Sequence, residues 1–225
     1  MLCTTCVIQI PRVNNYFGLE RRIAETEETE EAAETFHGYI ERTMWVQLPI
    51  ERAAAMFYFE AQTARRLIHL TKYYKQPQVG KYIASAFAQE LQERSEGAFF
   101  EDIDCIIPMP IHWRRRWERG YNQAEWIADG ISAVTGIPVE KKAVKRSRYT
   151  KSQTHLNHAE RKANVKDCFQ LVEPERLRDR HILLIDDVLT TGATMIALGQ
   201  EIAKAGGVRV SVLTLAWANS FVCDA

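Results

Sequence analysis

Apolar positions recur along this chain with two different periods, and each period predicts its own kind of element. Ile182-Leu183-Leu184-Ile185 is an unbroken apolar run, the pattern of a parallel strand covered on both faces. Two carboxylates, Asp186 and Asp187, follow where that strand is expected to end. After a short loop, Met195 to Ala205 has helical character, and Gly206-Gly207 closes it as a helix C-terminus does. Further strands are expected over Ala53 to Phe59, from Ile103 to a sharp turn after Ile107, over Phe169 to Val172, and over Val208 to Leu215, which closes the sheet.

Helical spacing fills the intervals. Leu67, Ile68, Leu70 and Tyr74 give Arg65 to Tyr74 an amphipathic face, and Ile83, Phe87 and Leu91 recur every fourth position in Val79 to Leu91. Lys72 and Lys75 on the first helix are within reach of a phosphate, but a solvated face accounts for them more simply. Asn122 or the turn before it opens a third helix through Ala124, Ile127, Ala128 and Ile131. Strand and helix alternation over 225 residues suits one large α/β domain, a mainly parallel twisted sheet flanked by helices. We place this domain at 49–225 and a small N-terminal appendage at 1–48.

Charge narrows the picture only locally. Lys and Arg total 29, as do Asp and Glu, so the global balance selects no partner. From His112 to Lys162, however, 12 basic residues face 5 acidic ones, a local excess of +7. Arg114, Arg115, Arg116 and Arg119 lie beside Trp113 and Trp117, a composition that can bind phosphates or stack on nucleic-acid bases. Arg146 to His155 follows neither period and reads as a mobile basic loop, extending to Asn164 as a candidate lid. Glu20 to Glu34 holds seven Glu, expected as a solvated helix or linker. No apolar run approaches the length of a transmembrane helix, and the N-terminus lacks a secretory layout, so a cytoplasmic protein without membrane insertion is expected. Cys3 and Cys6 form half of a zinc site, and the remaining cysteines are isolated.

The chemistry concentrates after Ile185. Val188, Leu189, Thr190, Thr191, Gly192, Ala193 and Thr194 join strand to helix, so backbone N–H groups, the helix dipole and Thr hydroxyls converge on one anion. The loop lacks the Gly-x-x-x-x-Gly-Lys pattern of a Walker A motif. Carboxylates beside a phosphate site must face something else, such as sugar hydroxyls or a divalent cation. A ribose 5-phosphate meets both demands, with its phosphate in the loop and its hydroxyls on Asp186 and Asp187.

This run resembles the phosphoribosyl pyrophosphate (PRPP) motif of the type I phosphoribosyltransferases. Pro108-Met109-Pro110-Ile111-His112 with Arg119-Gly-Tyr-Asn-Gln123, and Arg148-x-Thr-Lys-x-Gln153 with Arg161 and Asn164, add a closer likeness. With Pro49 to Phe57 and His69-x-x-Lys-Tyr73, these blocks resemble the ComF family of competence proteins, some relatives of which are amidophosphoribosyltransferase-like. The resemblance implies a type I phosphoribosyltransferase fold and Mg²⁺-dependent phosphoribosyl transfer from PRPP to an unidentified acceptor. It implies leaving-group contacts from Lys151, Arg148 and Arg161, with backbone around Pro108 to His112 cradling pyrophosphate. It also implies a link to DNA uptake, beside a competence helicase or translocase. The alternative is a non-catalytic factor that binds PRPP or a nucleoside monophosphate and contacts single-stranded DNA through Arg114 to Arg119. A purine or orotate salvage enzyme is a third reading; glutamine-dependent amination is not expected. Family members often begin with a two-knuckle zinc ribbon. Cys3 and Cys6 look like its second knuckle, so Zn²⁺ is not expected in the chain as given.

Overall fold

The computed structural model describes residues 10–13, 16–18, 35–73, 76–148 and 167–218. In chain order the elements begin with α1 (Phe36–Tyr39), which widens into a π-helical turn over Ile40–Trp45. There follow β1 (Ala53–Tyr58), α2 (Gln62–Tyr73), α3 (Pro77–Arg94) and β2 (Cys105–Pro108). Next come α4 (Trp113–Arg119), α5 (Gln123–Thr135), β3 (Val144–Arg146) and β4 (Phe169–Leu171). β5 (His181–Leu189), α6 (Ala193–Ala203) and β6 (Arg209–Trp217) end the described fold.

β1, β6, β5 and β2 form, in that order, a four-stranded parallel sheet. Side chains alternate across it, as a pleated strand requires. Ile182, Leu184, Val210 and Val212 pack with α1 and α6 on one face. Leu183, Ile185, Leu213 and Leu215 pack with α2, α3 and α5 on the other. α5, which follows β2 after the short α4, and α6, which follows β5, therefore cover opposite faces. Between them the carboxyl ends of two adjacent parallel strands open a crevice, where ligands bind in open α/β sheets.

The expected α/β architecture is present, with four differences. β5 does not stop at the acid pair: it stays in register with β6 through Asp186↔Thr214, Val188↔Ala216 and Leu189↔Trp217. The long partner strand supplies ladder bonds that the local sequence does not announce. β6 does not close the sheet but lies inside it, consistent with burial of every residue from Val210 to Trp217. The turn after β2 comes at Pro108, one residue later than expected; proline is tolerated on such an edge strand. β3 and β4 form a separate antiparallel pair, with Arg146 opposite Phe169. Three-residue strands are too short to show a period.

α1 and its π turn belong to the same core as β5 and α6, through buried Phe36, Tyr39, Ile40 and Met44. The Trp217 ring meets those of Phe36 and Tyr39 at 5.3 and 5.6 Å between centroids. Among the described residues no helix is long and apolar enough to cross a membrane.

Candidate functional site

A cavity of about 340 Å³ opens at the carboxyl ends of β2 and β5. Asp186, Asp187 and the whole run from Val188 to Thr194 line it, with Met109 and Ile111 from the turn after β2. The loop takes its shape from Gly192, which caps α6 at φ +67°. A Cβ at that position would lie 2.8 Å from Met44 Cγ, so both the backbone conformation and the close approach of the π turn require glycine. No side chain caps α6. Of its first-turn N–H groups, which no helix satisfies internally, that of Ala193 approaches the Thr191 Oγ1 at 3.5 Å, and the helix start is of the kind that receives anions. From behind, the Tyr39 hydroxyl donates to the Thr190 carbonyl and ties the loop to α1.

The acid pair is asymmetric. Asp187 is buried, and its Oδ2 receives the Lys72 ammonium at 2.8 Å and the Gln123 amide Nε2 at 3.4 Å. Asp186 accepts the Asp187 N–H through Oδ1 at 2.8 Å. Burial, and after it the Asp187 charge, push the Asp186 carboxyl up to about 7 against the pull of Lys72. For Lys72, burial presses the pKa down, but the charge and hydrogen bond of Asp187 outweigh it and leave the ammonium above its ordinary value. Lys72 is thus not on a solvated face; α2 turns it inward, onto the acid pair.

Four cationic side chains, Lys72, Arg115, Arg119 and Arg146, line the cavity against two carboxylates. Arg146 projects from β3, its guanidinium 5.3 Å from the ring centroid of buried Phe169. Arg119 donates to Gln123 Oε1 at 3.1 Å. The arginine cluster of α4 is therefore divided: Arg115 and Arg119 reach the cavity, whereas Arg114 and Arg116 are exposed on the outer side. Arg116 pairs with Glu125 through its two terminal guanidinium nitrogens, at 2.6 and 3.1 Å.

Other expected site residues lie apart from the lining. Pro108 is buried opposite Ile185 in the sheet. Pro110 follows it in the turn, and His112 Nδ1 accepts the Arg114 N–H at 3.3 Å to cap α4. Arg148 is exposed beyond β3. Lys151, Arg161, Cys3, Cys6, the acidic Glu20–Glu34 stretch and most of the basic loop lie outside the described residues. Gln123 received no site role from the sequence, Lys72 was expected on a solvated face, and Arg115, Arg119 and Arg146 were expected in a phosphate- or DNA-binding cluster and a basic loop rather than in the lining of this cavity. Lys72 and Gln123 do sit inside the His69-x-x-Lys-Tyr73 and Arg119–Gln123 blocks, the one signal that could have marked them.

The chain is 29% identical over 149 residues to the DNA utilization protein YhgH of Salmonella typhimurium, covering 66% of this chain and 65% of that protein. The chain is a homologue of the YhgH and ComF proteins. Competence protein F of Haemophilus influenzae is 36% identical over 114 residues, half of each chain. Competence protein ComFC of Bacillus subtilis is 26% identical over 114 residues, 50% of this chain and 44% of that one. The matched region thus spans just under two thirds of the YhgH protein and less of the others. No family model matches the chain. Among solved structures, the B. subtilis glutamine PRPP amidotransferase aligns with TM-score 0.41 and 19% identity, covering 64% of this chain and 30% of that one. Leishmania donovani UMP synthase aligns with TM-score 0.38 and 19% identity, over 67% of this ComF homologue and 24% of that chain.

Proposed function

We propose that the chain binds PRPP with Mg²⁺ and transfers its phosphoribosyl group to an acceptor. One observation carries this: a single cavity brings together an uncapped helix start, an adjacent pair of carboxylates and four cationic side chains. The 5-phosphate would sit on the Thr190–Thr194 loop, where N–H groups and the helix dipole favour an anion. Asp186 and Asp187 would take the ring hydroxyls. As the bond from C1 to the pyrophosphate oxygen breaks, its electron pair leaves with pyrophosphate. Positive charge then grows on the ribose next to these carboxylates, which stabilise it electrostatically. A lone pair of the acceptor forms the new bond to C1. Arg115, Arg119 and Arg146, which line the same cavity, would meet the leaving group's negative charge. Asp186 offers a hard oxygen donor, and magnesium is commonly held by one or two carboxylates plus substrate phosphates, so the residues fit it. When bound, the ion would neutralise charge on the pyrophosphate.

Calorimetry with PRPP and Mg²⁺ tests the site. The wild-type chain should bind, and Asp186→Asn with Asp187→Asn should weaken binding at least about tenfold while the fold survives. Unchanged affinity in the double variant removes the assignment. Pyrophosphate release across a panel of nucleobase and amine acceptors separates turnover from binding alone.

A second reading, a DNA-contacting role that need not involve turnover, is favoured by α4. Trp113 and Trp117 are 70% and 83% exposed beside the exposed Arg114, a surface on which single-stranded bases can stack. On this reading strand affinity falls steeply with salt, and Trp113→Ala with Trp117→Ala abolishes fluorescence quenching by oligonucleotides. Absence of strand binding at low salt would leave any DNA role to a partner such as a helicase.

A further inference from the structure

The acid pair is gripped by a clamp built from two helices. Lys72 lies one residue before the end of α2 and reaches Asp187 Oδ2 at 2.8 Å; its side chain is 24% exposed and that of Asp187 only 6%. That end of α2 is held in turn. Tyr121, in the turn between α4 and α5, donates its hydroxyl to the Thr71 carbonyl at 2.6 Å. Buried Thr71 donates its own hydroxyl to the Ile68 carbonyl at 2.8 Å. Two residues past Tyr121, Gln123 donates to the same Oδ2, and Arg119 holds the amide oxygen so that its NH₂ faces Asp187. Asn122 between them donates to the Met109 carbonyl at 3.0 Å, fixing this turn to the end of β2.

The consequence is one of oxygen atoms. Asp187 Oδ2 is taken by Lys72 and Gln123, and Asp186 Oδ1 by the Asp187 N–H. Among the described residues no hydrogen bond reaches the second oxygen of either carboxylate. We propose that Lys72 is a positioning residue which, with Gln123, fixes Asp187 so that Oδ1 accepts a hydrogen bond from a ring hydroxyl of a ribose 5-phosphate. This rests on the PRPP reading and adds to it the source of its sugar recognition. The ammonium also offsets one carboxylate charge where a polyanion must approach, an effect that is large away from bulk water.

Lys72 also lines the cavity, so a direct phosphate contact and a purely structural ion pair are the rival roles. They part in the selectivity for ring hydroxyls. Affinities for ribose 5-phosphate and for its 2,3-dideoxy analogue are to be measured by NMR titration, with PRPP and Mg²⁺ as a control. In Lys72→Met, ribose 5-phosphate should bind about tenfold more weakly, while the dideoxy analogue keeps its wild-type affinity. Lys72→Arg should recover part of the selectivity. In an Asp187→Asn background, Lys72→Met should cost no further selectivity. Should Lys72→Met fail to fold, the Arg variant and the charge-neutral double variant decide the matter, since neither leaves Asp187 as a buried carboxylate without its cation. Equal loss of both ligands, or wild-type selectivity in Lys72→Met, overturns the inference while leaving PRPP binding intact. Failure of the wild-type chain to bind PRPP at all would remove both.

Discussion

The Tyr39 hydroxyl donates its proton to the main-chain oxygen of Thr190, so an N-terminal helix sets the geometry of a loop 151 residues further along. The phenol is buried, and that burial raises its pKa above the ordinary tyrosine range, which keeps it a donor. Tyr39→Phe leaves the ring against Trp217 and removes only this bond. We expect stability to drop by about 1 kcal/mol and phosphate affinity to fall several-fold. Equilibrium denaturation and calorimetry with inorganic phosphate measure the two effects. A stability loss with unchanged phosphate affinity would deny the loop its dependence on α1.

Gly192 is the second fixed point of that loop. Alanine there must adopt φ +67°, which costs an L-residue about 1–2 kcal/mol, and its methyl would also press on Met44 Cγ and Sδ at 2.8 and 2.9 Å. Gly192→Ala should therefore destabilise the chain and abolish phosphate binding. Adding Met44→Ala relieves the contact but not the backbone conformation. The double variant is expected to remain without phosphate binding, although Met44→Ala alone leaves the loop conformation permitted.

How much of this was legible follows from where the information sits. Ile182 to Ile185 and the acid pair are contiguous, so strand, carboxylates, loop and helix could be read as one unit. The anion loop Val188–Thr194 lines the cavity as a block for the same reason. Lys72 was not legible as a site residue: its partner Asp187 is 115 positions away, and the local pattern around it is that of any amphipathic helix. Arg146 is similar, because its role depends on pairing with Phe169 across a long insertion. The arginines of α4 looked alike in sequence; only the helix turn sends Arg115 and Arg119 inward and Arg114 outward.

A further prediction concerns the packing of α3 on α5. Gly130 lies inside α5, where alanine is favoured by about 1 kcal/mol on propensity alone. A Cβ there would meet the Lys81 carbonyl oxygen at 2.4 Å and Ala84 Cβ at 3.1 Å. Ser85 donates its hydroxyl to the Gly130 carbonyl at 3.0 Å, so the helices are pinned at this point. Overpacking against backbone costs about 1–3 kcal/mol, and no side-chain rotation relieves it. Gly130→Ala should lower stability in urea denaturation despite its better propensity; a stabilised variant would show that the helices separate easily.

The last prediction concerns acid, at the end of the sheet remote from the cavity. His181 opens β5 fully buried, with Nε2 at 2.8 Å from Ser211 Oγ on β6 and Nδ1 at 4.0 Å from Asp102 Oδ1. Asp102 is itself bound to Arg52 and Arg209, at 2.8 and 3.0 Å. The charges around the imidazole are thus Arg209 on β6, Arg52 and Glu51 before β1, and Asp102 before β2. Burial first, then Arg209 and Arg52, lower its pKa below 6.5, outweighing Asp102 and Glu51. The native state accordingly binds this proton less well than the unfolded chain. Its neutral imidazole contributes stability that is complete above 6.5 and lost as the pH falls from there toward the lowered native value. Each unit separating the two values is worth about 1.4 kcal/mol. Asp102, lowered first by its hydrogen bond to Arg52, contributes stability that is lost only as the pH falls below its ordinary 3.8, outside the pH range of the test. Asp186, pushed up to about 7, takes up its proton more readily in the fold and adds stability over the same interval, so the measure is the difference between two proteins: from pH 7.5 down to 5 the melting temperature of the wild-type chain should fall relative to that of His181→Gln, whose amide can still meet Ser211 but cannot titrate. Parallel profiles for the two proteins would mean that His181 is protonated as easily in the fold as out of it.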